Sequence, residues 1–181
     1  ACVRPELRIE SGGGRKELTV AEGGRLAAPK TVAPGEFERS RETTWTVSDS
    51  SLRVSGFKAS PDGLFVTVTV LGHALVVDPV TGFAGPKRSD TVGPSVWLAV
   101  GRRTILAEIQ GGSVLHPEHP GDPALSTYDL WFPFNPEELD NTVHLHVDWP
   151  SVLGERSVRV TNTEISDAAA NTLTWPTRPS P

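Results

Sequence analysis

Leu64-Phe65-Val66-Thr67-Val68-Thr69-Val70-Leu71 is the stretch that decides the fold. Side chains alternate between two faces along a strand, so Leu64, Val66, Val68 and Val70 share one face and Phe65, Thr67, Thr69 and Leu71 the other. Every second residue is a β-branched or large aliphatic one, which suits a pleated surface packed on one side. Ser60-Pro61-Asp62-Gly63 stands directly before it. Proline presets φ and Asp-Gly tolerates the left-handed region, so this is a turn that feeds the strand.

The same pattern extends in both directions. Thr44–Val47 and Ser51–Val54 read as short strands before the turn, and Ala74–Val77 as a short apolar run after it. Ser95–Val100 and Thr104–Gln110 flank Gly101-Arg102-Arg103, the spacing of a hairpin. Gly111–Ala124, with three prolines and three glycines, reads as an irregular loop. Thr127–Phe134 alternates again, with Tyr128, Leu130, Phe132 and Phe134 opposite Asp129 and Trp131. Asn135-Pro136-Glu137-Glu138 carries helix-start signals, and Ser166–Ala170 is the length of one helical turn. Thr142–Trp149 is a strand stopped by Pro150, and Arg156–Thr161 is another. About eight or nine short strands with turn signals roughly every ten residues predict a β-sandwich or barrel. Val66, Val68, Leu130, Phe132, Leu145 and Val147 are the expected members of one core.

Composition agrees. Of 181 residues, 20 are valine, 17 threonine and 4 isoleucine, so 41 are β-branched, and 33 more are glycine or proline. No apolar run approaches the ~18 residues that a membrane-crossing helix needs. One cysteine rules out an intrachain disulfide framework. With 17 basic against 22 acidic residues, the chain does not have the charge of a general nucleic-acid binder. Residues 1–42 differ from the rest, with Gly12-Gly13-Gly14, Gly23-Gly24 and few large apolar residues, and read as an arm with weak β-structure. The expected organisation is therefore this arm, a sandwich over 43–165 and a Pro-rich tail over 166–181. Cys2 lies close to where a lipidated cysteine would open a mature lipoprotein, but Ala1 precedes it. A secreted or cell-envelope location is favoured over the cytoplasm.

In Tyr128-Asp129-Leu130-Trp131-Phe132-Pro133-Phe134, a Pro-Glu-Glu turn and Val143-His144-Leu145-His146-Val147-Asp148-Trp149-Pro150, a strand ending in an aromatic–Pro step leads through a turn into a strand with core leucine and valine. With the strands from Leu64 to Thr161 this segment resembles the immunoglobulin-like accessory domains of bacterial cell-envelope and secreted proteins. The inter-sheet cysteine pair of many such domains is missing. The resemblance implies an immunoglobulin-like β-sandwich and a binding or structural module rather than a catalyst.

Charge is distributed unevenly. Nine acids and no lysine or arginine lie between Thr104 and Glu155, together with His116, His119, His144 and His146. His144, His146 and Asp148 alternate with Leu145, Val147 and Trp149, so they share one face of their strand. Two imidazoles two residues apart, with a carboxylate, are donor types that zinc, nickel or copper accept, and His116 and His119 would complete the set. An ordinary solvated strand face explains the same residues more simply, so no cofactor is required and weak zinc binding is the alternative. No Gly-x-Ser-x-Gly elbow, His-Glu-x-x-His helix or phosphate loop occurs.

Three aromatics fall opposite the apolar face of their strands: Phe65, Trp97 and Trp131. In a sandwich that face is the outer one, where aromatic residues anchor partners unless another segment, such as the arm 1–42, covers them. The sequence thus predicts a non-catalytic protein-interaction or structural module, with Phe65, Trp97 and Trp131 as partner-binding residues. Its alternatives are a metal-binding protein using the His-x-His face and a carbohydrate-binding sandwich whose tryptophans stack on sugar rings.

Overall fold

The structure is a computed structural model. It describes residues 32–38, 41–73, 75–77, 83–86, 93–115, 119, 122–136, 139, 142–150 and 152–174. Most of the expected arm and the end of the tail lie outside the described residues, as does His116.

The chain is an all-β sandwich of antiparallel sheets, with one short helix among the described residues. In chain order the strands are β1 (Val32–Ala33), β2 (Gly35–Glu36), β3 (Thr43–Val47), β4 (Ser50–Ser60), β5 (Gly63–Gly72), β6 (Leu75–Val77) and β7 (Ala84–Pro86). They continue as β8 (Ser95–Val100), β9 (Arg103–Leu106), β10 (Glu108–Leu115), β11 (Ala124–Pro133), β12 (Thr142–Trp149) and β13 (Gly154–Thr161). Helix α1 (Asn162–Ala170) and β14 (Leu173–Thr174) follow. The larger sheet runs β10-β11-β5-β4-β2, with β3 also on β4. The second runs β13-β12-β8-β9. β1 pairs with β14, and β6 with β7. Paired or packed segments thus extend on both sides of 43–165.

The alternation read from the sequence becomes the core. Leu52, Val54, Leu64, Val66, Val68, Val70, Leu130 and Phe132 of the larger sheet meet Val96, Leu98, Val100, Val143, Leu145, Val147, Trp149, Val158 and Val160 of the second in one buried cluster. Complete burial of an aliphatic side chain contributes about 1.5–3 kcal/mol, so this two-sided apolar layer is what holds the sheets together. The six expected core residues are all in it.

Two segments depart from the sequence reading. Gly111–Leu115, expected in a loop, belongs to β10 and pairs with β11 as far as Leu115↔Leu125. The helix is longer than one turn. Its start is set by Thr161, whose side chain accepts from the Glu164 N–H while Glu164 accepts from the Thr161 N–H, a reciprocal capping box. Burial acts to raise the Glu164 pKa, but hydrogen bonds from the Thr161 side chain and backbone and from Arg41 outweigh it and hold the carboxyl below its usual range. The Arg41–Glu164 ion pair, at 2.6 Å, ties the segment before β3 to the helix. Ile165 and Ala168 bury the helix on the core.

Two hairpin turns place the outer faces. Between β4 and β5 the register closes at Ser60↔Gly63, with Asp62 N–H donating to Ser60 Oγ at 3.3 Å, as the Ser-Pro-Asp-Gly signal predicts. Between β8 and β9 it closes at Val100↔Arg103 around Gly101, whose φ of 57° is one that glycine adopts without strain.

Candidate functional site

Each sheet has an outer face, and directly opposite residues of antiparallel strands point to the same side. On the larger sheet one cross-strand row is Lys58, Phe65, Trp131 and Glu108. The rings of Phe65 and Trp131 lie 4.3 Å apart between centroids. The placement agrees with the sequence, but the expected exposure of Trp131 does not hold: its relative exposure is 0%. Part of the reason is local. Phe65 covers the indole from one side, and Gly63 leaves the space into which its six-membered ring extends, since a Cβ at Gly63 would meet Trp131 Cη2 at 2.8 Å. Trp131 is therefore part of the packing and not a free anchor. Phe65 is half-buried against it.

The second sheet is different. Its register builds three rows on the outer face: Leu106–Trp97–His146–Ser157, Thr104–Ala99–His144–Arg159, and Ser95–Asp148–Glu155. The alternation of β8 and β12 forces this arrangement, because their other face is the core side made by Val96, Leu98, Val100, Val143, Leu145, Val147 and Trp149. The Trp97 and His146 rings stack face to face, with centroids 5.3 Å apart and planes 5° from parallel. His146 Nδ1 lies 3.0 Å from Glu155 Oε1, a hydrogen bond in which the imidazole donates. His144 tilts toward the pair, its ring 6.1 Å from that of His146. At the end of the row Leu106 is 54% exposed.

Asp148 faces Glu155 directly across the β12–β13 pair. Burial and then the negative charge of Glu155 raise its pKa. A carboxyl whose folded pKa is raised binds its proton more readily folded than unfolded, so its contribution to stability declines as pH rises from the ordinary aspartate range through the folded value. Asp148→Asn removes that penalty. Relative to the parent chain, the variant is expected to gain stability between about pH 3 and pH 7, by less than about 1 kcal/mol because the group is partly solvated. Urea unfolding midpoints at the two pH values check this. A stability difference between parent and variant that is the same at both contradicts it.

The structure brings His144, His146 and Asp148 together on one face, as expected. His119 is exposed on the segment before β11. Among the described residues no three His, Cys, Asp or Glu side chains gather closely enough to hold a metal ion. Glu155 and Leu106 belong to the face but were not singled out by sequence reasoning. The signal for Glu155 was the short segment between Trp149 and Gly154, which fixes Asp148 opposite it. Away from the face, a cleft of about 370 Å³ opens beside the β8–β9 turn, between Arg102, Arg103, Phe134, Asn135 and Leu139.

Comparison with protein families, with curated proteins and with solved structures gave no match.

Proposed function

We propose that the chain is a non-catalytic, immunoglobulin-like sandwich module that binds another protein through the outer face of the β13-β12-β8-β9 sheet. The single observation behind this is the row Leu106–Trp97–His146, an exposed aliphatic side chain followed by a stacked indole and imidazole. Tryptophan gives large contact area at low entropic cost, and a stacked neighbour lowers that cost further by fixing its rotamer before a partner arrives. Asp148, Glu155 and Arg159 surround the row with charge, the apolar centre and polar rim of a recognition surface. His146 is already engaged by Trp97 and Glu155, which favours this reading over a metal site. A bacterial secreted or cell-envelope setting belongs to the same proposal.

The test compares three immobilised forms of the full chain against extract of the native source: the parent, Trp97→Ala with Leu106→Ser, and a control changed on the opposite sheet, Arg53→Glu with Thr127→Glu. A protein captured by the parent and the control, and at least tenfold depleted on the first variant, is the expected result. Equal capture by all three contradicts the proposal.

A further inference from the structure

We propose that two copies of this chain pair edge to edge through β10, antiparallel about a two-fold axis at Ser113. β10 borders the larger sheet with β11 on one side, and among the described residues no strand lies on the other. An edge of this kind presents unpaired backbone N–H and C=O groups and is a template for another strand unless it is blunted. The other edges of the two main sheets carry charge at β13 (Arg156, Arg159), β9 (Arg103) and β2 (Glu36). β3 is uncharged, but it is shorter, and Trp45 and Val47 pack partly on the core. From Ile109 to Leu115 β10 has no charge at all. It also holds three of the five strongly exposed large apolar side chains among the described residues, Ile109 at 42%, Val114 at 37% and Leu115 at 62%.

The sequence of this edge is complementary to itself. A register shift between Ile109 and Gly111 makes 111–115 a regular segment in which Gly111, Ser113 and Leu115 oppose Asp129, Thr127 and Leu125, and Gly112 and Val114 oppose Tyr128 and Ser126. An antiparallel two-fold at Ser113 places Gly111 opposite Leu115 of the second copy and Gly112 opposite Val114. Both pairs keep their faces matched, as a ladder requires, and both set a small residue against a large one. The interface closes on itself, since each copy uses the same patch.

Gly111 gives independent support. Gly112 is required inside the chain, because a Cβ there would meet Thr127 O at 2.9 Å and the Tyr128 ring at 3.1 Å. At Gly111 a Cβ would meet only Asp129 Oδ2, at 3.8 Å, and φ is not positive. Among the described residues nothing crowds a side chain there, and glycine weakens a strand interior. The notch it leaves is where Leu115 of a second copy lies.

The test uses the full chain in two assays. Sedimentation equilibrium up to about 100 µM, where an interface of micromolar Kd is mostly assembled, should show a dimer in the parent and at least tenfold weaker association in Leu115→Glu. In a Cys2→Ser background, Ser113→Cys should oxidise to a covalent dimer far faster than the exposed control Thr104→Cys, because directly opposite Cβ atoms are about 4.5–5.5 Å apart. The second assay leaves every apolar side chain of the edge native, so it stands even where Leu115→Glu disturbs folding. A parent that stays monomeric, a dimer indifferent to Leu115→Glu, or equal cross-linking at 113 and 104 each overturns the proposal.

Discussion

Trp131→Ala is expected to lower the free energy of unfolding by about 3–5 kcal/mol, the cost of deleting a fully buried large aromatic side chain and leaving part of its volume empty. The indole has no exposure, touches the Phe65 ring, and fills the space that Gly63 leaves. Trp97→Ala is the contrast. That side chain is half-exposed and stacks on an imidazole, so its loss should cost about 1 kcal/mol or less. Two outward-facing tryptophans on two sheets thus separate into one that is fully buried and one that lies on the proposed recognition face. Chemical denaturation of both variants measures the difference. A Trp131→Ala chain as stable as the parent would show that the larger sheet's outer face is a surface patch after all.

Gly63→Val should be comparably damaging, by about 3 kcal/mol or more. Gly63 combines a φ of 152° with a close approach to the Phe132 carbonyl and to the Trp131 ring. The neighbouring atoms are backbone on one side and a packed indole on the other, so neither can move aside cheaply. The turn before it also receives the Phe134 N–H on the Asp62 carbonyl at 3.0 Å, which locks the β4–β5 turn to the end of β11. Gly154→Val makes a useful comparison. Its φ of 63° is also positive, but open space surrounds the missing side chain, so only the backbone cost remains. Thermal melts of the two variants should place Gly63→Val well below Gly154→Val. The reverse order would mean that φ, not space, governs the β4–β5 turn.

Strands whose two faces have different environments were legible in the sequence. β5, β8 and β12 each put an apolar set on the core side, and alternation converts directly into geometry there. β10 was not legible, because Gly111-Gly112-Ser113 has low strand propensity and its pairing is imposed by β11. The helix was half legible. Ser166–Ala170 lies within it, but the start was carried by Thr161 and Glu164, three residues apart, and not by the apolar pattern. For the outer faces, alternation correctly told which side Phe65, Trp97 and Trp131 occupy. It was silent on what covers them, because the Phe65–Trp131 contact and the room at Gly63 both depend on register. The same holds for the candidate site. The period of two placed His144, His146 and Asp148 together, but Leu106, Trp97 and Glu155 joined them only through pairings between strands.

Hydrogen exchange on the parent chain, alone and with the captured protein bound, tests the proposed recognition face most directly. Added protection is expected across β8, β9 and β12, in the peptides holding Trp97, Leu106 and His146, with β4 and β5 unchanged. Protection that appears on β4 and β5 and leaves β8, β9 and β12 unchanged would contradict the assignment of the recognition face.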